Sequence, residues 1–379
     1  MSGAVRFAAL VVALMMFQWA LAKDLELSVD RSGAALHDFR AWCPGFGYAT
    51  DPVVGGEKAV LDCRHAGARL FRTAKCDEAT LEFLKRGQMR ALLIVDGDAS
   101  KISANLKRIA DGGFAGQIVG FQLGTRDDAA SAAKWRTVLK DIARLFPKKP
   151  VAVPTKDEKA ALASALEPEP RVVTHLVVDL PEGKDPAEKL RMLAAVQKRS
   201  LIAVLPPVKA VSGGASLAVA GRKMRTLMSA VAAGRVDAVF FDQKPEADAF
   251  GSALRYLGLA FSDYPLLVTH SEDAVRMLDE GGVAADGDVE YLVLSDLRWK
   301  IVCLVMVNAG KKPTKVLVKM EQGESQGCGV RRRVFSDPET GKPIREGLGC
   351  YARRGGPFVT DLSAGEIAVV SFGATQLKK

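Results

Sequence analysis

Between Ala35 and about Leu259 the chain repeats one pattern: a short apolar run, a polar loop, then a segment whose apolar residues recur with helical spacing. The runs are FRAW (39–42), ARLFR (68–72), ALLIVD (91–96), IVGFQL (118–123), VAVP (151–154), VVTHLVVDL (172–180), LIAVL (201–205) and VDAVFFD (236–242). Between them lie helical patterns, such as the segment in which Ser131, Lys134, Val138 and Ile142 share one face. The strands are continuous rather than alternating, as a parallel sheet covered on both sides requires. Eight near-equal strand–helix units and the lack of a Gly-rich phosphate loop predict a (β/α)8 barrel over 35–261, in preference to an open doubly wound sheet.

After about Phe261 the pattern changes. Strand-like runs follow one another without long helices: 289–296, 299–310, 314–320, 330–337, 349–356 and 366–373. They predict a C-terminal antiparallel β-sandwich over 288–379, reached through a linker at 262–287. An early piece, DLELSVD (24–30) within 23–34, also has strand character and is expected to pair into that sandwich.

The first 22 residues read as an export signal. Arg6 precedes an apolar run from Phe7 to about Trp19, and Ala20-Leu21-Ala22 supplies a small-x-small cleavage pattern. The expected location is secreted or periplasmic, with no membrane span after cleavage, because no later segment reaches ~18 unbroken apolar residues. The formal net charge is +9. It reads as a solvated basic surface or as attraction to an acidic polymer such as a uronic-acid glycan. Nucleic acid is not expected, since no basic stretch is interleaved with aromatics. The six cysteines form no CxxC and the four histidines no Cys/His pattern, so no metal and no cofactor are implied. An oxidising compartment would permit disulfides.

An exported barrel followed by a β-sandwich resembles the retaining glycoside hydrolases built on (β/α)8 barrels, in particular the heparanase-like and arabinofuranosidase-like families. The resemblance spans about 35–373. Four stretches carry it: GFGYATDP (45–52) as a substrate-facing Gly-rich loop, RLFRT (69–73) as a second strand ending in a site-lining arginine, IVGFQLGTRDD (118–128) as the fourth strand, and SDPETGKP (336–343) as a sandwich hairpin. The resemblance implies an acid/base glutamate in a Gly-Asn-Glu motif after the fourth strand and a nucleophilic glutamate after the seventh. Gly124 matches the first motif, but Thr125 and Arg126 replace Asn and Glu, and the nucleophile position falls at about Pro206. Arginine cannot act as a base near neutral pH and proline carries no side-chain function. The barrel therefore reads as degenerate at both positions, a carbohydrate-binding or scaffold protein.

An active glycosidase with relocated carboxylates is the second reading, using Asp127 with Asp179 or Asp242, since an inverting pair tolerates about 6.5–9.5 Å. A third is an envelope interaction protein using a basic sandwich, because 288–379 holds 15 Lys/Arg against 10 Asp/Glu. Trp42, Tyr48, Arg72, Asp96 and Arg126 are expected to line the cleft. The two loops that follow neighbouring strands one and two suggest a Cys43–Cys76 disulfide, and a hairpin suggests Cys328–Cys350. Cys63 is expected to be a buried thiol and His175 a buried, satisfied imidazole.

Overall fold

The computed structural model describes residues 45–124, 129–156, 159–166, 173–182, 185–197, 199–208, 216–233, 236–263, 283–285, 288–296, 301–318, 329–334, 350–351 and 358–373. Eight parallel strands close into a barrel in chain order. They are β1 Phe46–Tyr48, β2 Leu70–Thr73, β3 Arg90–Val95, β4 Ile118–Leu123, β5 Val151–Thr155, β6 Val173–Asp179, β7 Ser200–Leu205 and β8 Val236–Phe241. The helices that follow them are α1 Glu57–His65, α2 Glu78–Arg86, α3 Ala99–Asp111, α4 Ala132–Leu145, α5 Ala161–Ala165, α6 Pro186–Val196, α7 Ser216–Ala232 and α8 Ala249–Asp263. Their starts are specified locally. The Asp77 carboxylate accepts from Thr80 N at 2.9 Å and opens α2, and Asp185 accepts from Ala187 N at 2.9 Å and opens α6, with Pro186 in its first turn.

Alternation along the strands builds two cores. Leu70, Leu92, Val119, Ala152, Val177, Ile202 and Phe240 pack inside the barrel. Outward neighbours such as Phe71, Leu93, Phe121, Leu176 and Phe241 meet the helices, with Phe241 edge-on to Phe250 at 4.7 Å.

Seven strands fall where the apolar runs predicted them, but the first does not. The barrel begins at Phe46–Tyr48, inside the stretch expected to be a Gly-rich loop. FRAW (39–42), with Trp42, lies outside the described residues. The physical reason is Gly47: a Cβ there would lie 2.0 Å from the Leu70 carbonyl oxygen, so the strand's interior position must be glycine and no apolar run betrays it.

Two small antiparallel sheets follow. One has the order β10 (Val289–Asp296), β11 (Ile301–Asn308), β16 (Ile367–Gly373), β13 (Gly329–Val334), β14 (Cys350–Tyr351). The other has the order β15 (Phe358–Leu362), β12 (Thr314–Val318), β9 (Val283–Ala285). β9 lies within the stretch expected to be a linker, and β15 was not foreseen, because each is too short or too mixed to stand out. The larger sheet packs on α7 and α8. Val305, Val307, Ile367 and Val369 extend the core between strands and helices, and Gly221 lets α7 approach Gly365, whose oxygen would be 3.1 Å from an added Cβ. The leader (1–22) and the N-terminal strand (23–34) lie outside the described residues. No helix among the described residues is long and apolar enough to cross a membrane.

Candidate functional site at the barrel mouth

The carboxyl ends of the strands form the mouth where barrels of this kind hold their sites. Because the strands tilt, a plane across the barrel climbs by about one residue per strand. Through the observed registers, Arg72 on β2 and Gln122 on β4 share a level with Val177 and Phe240, while Asp179 and Asp242 stand two residues further along β6 and β8. Between these levels runs an apolar collar: Ala49, Ile94, Pro154 and Val204, of which all but Val204 are partly open to solvent.

Arg72 is the centre of the arrangement. Its Nε donates to Gln122 Oε1 at 2.7 Å, and its Nη1 lies 3.7 Å from Asp179 Oδ1. The Arg72 side chain is 16% exposed and that of Asp179 66%. Burial pulls the guanidinium below its ordinary pKa, while the charges of Asp179 and Asp242 push it back up. The group stays charged at neutral pH. Asp242, one residue past β8, is exposed. Arg72 is thus a half-sheltered cation reaching from the floor toward two carboxylates on the rim. At the β1–α1 loop Asp51 accepts from Thr73 Oγ1 at 2.5 Å and pairs with Lys75 at 3.4 Å, tying that loop to the end of β2.

The structure brings Arg72, Asp179 and Asp242 together and adds Gln122, which sequence reasoning passed over. The available signal was a lone amide at an inward position of an otherwise apolar strand, IVGFQL. Asp96 ends β3 exposed at the mouth, and its Oδ1 accepts from Gly97 N at 2.8 Å, so it shapes its own turn.

Tyr48 is a correction. It does not line a cleft: it is 0% exposed, lies in the layer between strands and helices, and its hydroxyl donates to Ala66 O at 2.8 Å. Once β1 is placed at 46–48, alternation turns Gly47 inward and Tyr48 outward. Burial, then Asp248 and Glu246 nearby, hold the Tyr48 phenol well above its usual pKa.

Arg126, Asp127 and Cys43 lie outside the described residues. Gly124 ends β4 with φ +35°, and a Cβ there would lie 2.5 Å from Trp135 Cζ2. Trp135 itself is buried in α4. Pro206 is the first residue after β7, at the place assigned to the nucleophile.

The expected Cys43–Cys76 disulfide is corrected too. Cys76 is a free thiol, with Arg108 donating to its carbonyl and lying 3.8 Å from its sulfur. Cys76, three residues past β2, lies against Arg108 near the end of α3. Cys63 is a buried free thiol, and burial raises its pKa. Cys328 lies outside the described residues, and Cys350 falls in β14. Among the described residues no three His, Cys, Asp or Glu side chains are grouped to hold a metal ion.

No protein-family model and no curated protein sequence matches the chain. Solved structures share its fold. A glycoside hydrolase family 30 subfamily 8 xylanase from Clostridium acetobutylicum is 10% identical, with 87% of this chain and 96% of that one covered at TM-score 0.55. A monomeric beta-xylosidase from Caulobacter crescentus CB15 is 10% identical, with 88% and 96% covered at TM-score 0.54. An alpha-L-arabinofuranosidase from Thermotoga maritima is 8% identical, with 86% and 92% covered at TM-score 0.52. At these identities the likeness is one of fold, the glycoside hydrolase-like barrel that the sequence resembles.

Proposed function

We propose that this chain is an exported carbohydrate-binding protein that keeps the mouth of a glycoside hydrolase-like barrel without its retaining chemistry. The observation that carries this reading is Pro206, the first residue after the seventh barrel strand. Retaining hydrolysis needs two carboxyl groups about 5–5.5 Å apart, one of them the nucleophile at that strand end. A pyrrolidine ring cannot attack a sugar carbon. Arg72 further supports the reading. It is a cation set toward Asp179 and Asp242, whose oxygens can accept hydrogen bonds from sugar hydroxyls. Arg72 supplies donors from the floor, held there by the buried Gln122, and the collar supplies apolar surface for a ring face.

The test is a binding screen of the full exported chain against an oligosaccharide panel, repeated with Arg72→Met and Gln122→Leu. The expected result is saturable binding that either substitution weakens about tenfold, the scale of one lost charge-assisted hydrogen bond. Binding to no member of the panel, or binding indifferent to both substitutions, rejects the reading.

A second reading is favoured by the exposure of both Asp179 and Asp242 on neighbouring even-numbered strands. With a water between them they would form an inverting pair. Release of a free reducing end with inverted anomeric configuration, lost in Asp179→Asn and in Asp242→Asn, would establish it.

A further inference from the structure

The chain is cationic overall, at +9. The described part of its mouth is not: at the carboxyl ends of the strands Arg72 and Lys156 face Asp96, Asp179 and Asp242, with Asp179 and Asp242 above Arg72. We infer that the mouth receives the uncharged end of a glycan, inserted end-on, and discriminates against uronic acids. This inference rests on the carbohydrate-binding reading and sharpens it.

Two observations carry it. The first is the vertical order of the groups. A ligand reaching the Arg72–Gln122 floor passes the collar of Ala49, Ile94 and Pro154 and lies beside the rim carboxylates. A uronate would meet like charge at the rim, and at the floor it would compete with Asp179 for a guanidinium already placed 3.7 Å from it. A neutral sugar meets no such cost: its hydroxyls donate to Asp179 and Asp242 and its ring or hydroxyl oxygens accept from Arg72.

The second is the placement of aromatic rings. Phe46, Tyr48, Phe71, Phe121, Trp135 and Phe240 are each at most 7% exposed, so the described part of the mouth presents no flat platform on which successive sugar rings would stack side-on. Recognition by this part of the mouth falls to hydrogen bonds around one terminal residue. The basic character of the chain lies elsewhere, much of it in the C-terminal 288–379.

The experiment uses matched neutral oligosaccharides and the same oligosaccharides capped by a terminal uronic acid, titrated calorimetrically into the full chain at low salt. It is repeated with Asp179→Asn and Asp242→Asn. Both residues are exposed, so the variants are expected to melt like the parent, which circular dichroism checks. The expected result is neutral binding at least about tenfold tighter than uronate binding, with the gap narrowed in each Asn variant. Equal or tighter uronate binding, or a gap that neither variant moves, overturns this inference and leaves sugar binding standing. Binding of neither series overturns both.

Discussion

The two ends of the barrel each carry a cationic or basic side chain beside a carboxylate at positions near the axis, and they differ in exposure. At the amino end His175 Nε2 lies 3.2 Å from Asp237 Oδ2, both side chains are 0% exposed, and Thr174 Oγ1 sits 2.6 Å from the other ring nitrogen. At the carboxyl end Arg72 and Asp179 are 3.7 Å apart, with the carboxylate largely in water. The sealed pair is hydrogen-bonded within the core and has no access to a ligand. The open pair is loosely held and can exchange its partner for one. Similar chemistry is thus sealed where the barrel is plugged and open to solvent where, on the proposed reading, a ligand would bind, in keeping with the division of labour between the two faces of such barrels.

The comparison is broken most forcefully at the sealed end. Asp237→Ala leaves a buried imidazole facing a cavity and is expected to cost about 3–5 kcal/mol of stability. Denaturant unfolding measures this, and glycan binding of the folded fraction should be unchanged. A loss below about 1 kcal/mol would mean the pair contributes little. Gly124→Ala comes next, at about 1–3 kcal/mol, because it combines a left-handed φ with a Cβ 2.5 Å from Trp135. It sits at the mouth, so the expected signature is lost stability together with altered binding.

A smaller effect separates burial from position. Asp248, off the barrel axis, caps α8 through Gly251 N at 2.7 Å and lies 3.5 Å from the buried Lys223 ammonium, which also meets Glu246 at 2.7 Å. Burial raises the Asp248 pKa above 3.8, outweighing the lowering by the Gly251 hydrogen bond and Lys223. The folded state therefore holds that proton more tightly than the unfolded state. The resulting stability is full below pH 3.8 and is lost as pH rises through the folded value. Asp248→Asn should remove this dependence, so the stability of the parent relative to the variant should fall from pH 3.5 toward neutral, roughly the span over which a raised carboxylate titrates. A constant difference across that range would contradict the assigned cause. The smallest stability effect is expected at the open end: Arg72→Met should shift unfolding by about 1 kcal/mol, the scale of its hydrogen bond to Gln122, because Asp179 stays in water, while its effect is read in binding.

Much of the barrel was legible because its strands are buried on both faces and so appear as unbroken apolar runs. IVGFQL matches β4 residue for residue. β1 was illegible because close approach to Leu70 demands glycine at its interior position, and that error carried Tyr48 to the wrong side of the wall. β9 and β15 escaped because short strands in small sheets draw their register from neighbours such as β12 rather than from their own pattern. Of the site, Arg72, Asp179 and Asp242 were readable as charges closing apolar runs. Gln122 was not, since its role depends on a partner 50 residues away. The mismatch between a basic chain and an acid-rimmed mouth is likewise a property of placement, invisible to composition.

The central claim is that this mouth holds a sugar and does not cut it by the retaining route. The most direct measurement is a prolonged incubation of the protein, in molar excess, with a reducing-end-labelled oligosaccharide that it binds, followed by chromatography of the label. The account predicts that the oligosaccharide is recovered at full length. Appearance of a shortened labelled product, with the new reducing end of the unlabelled fragment formed in the retained anomeric configuration, would contradict it.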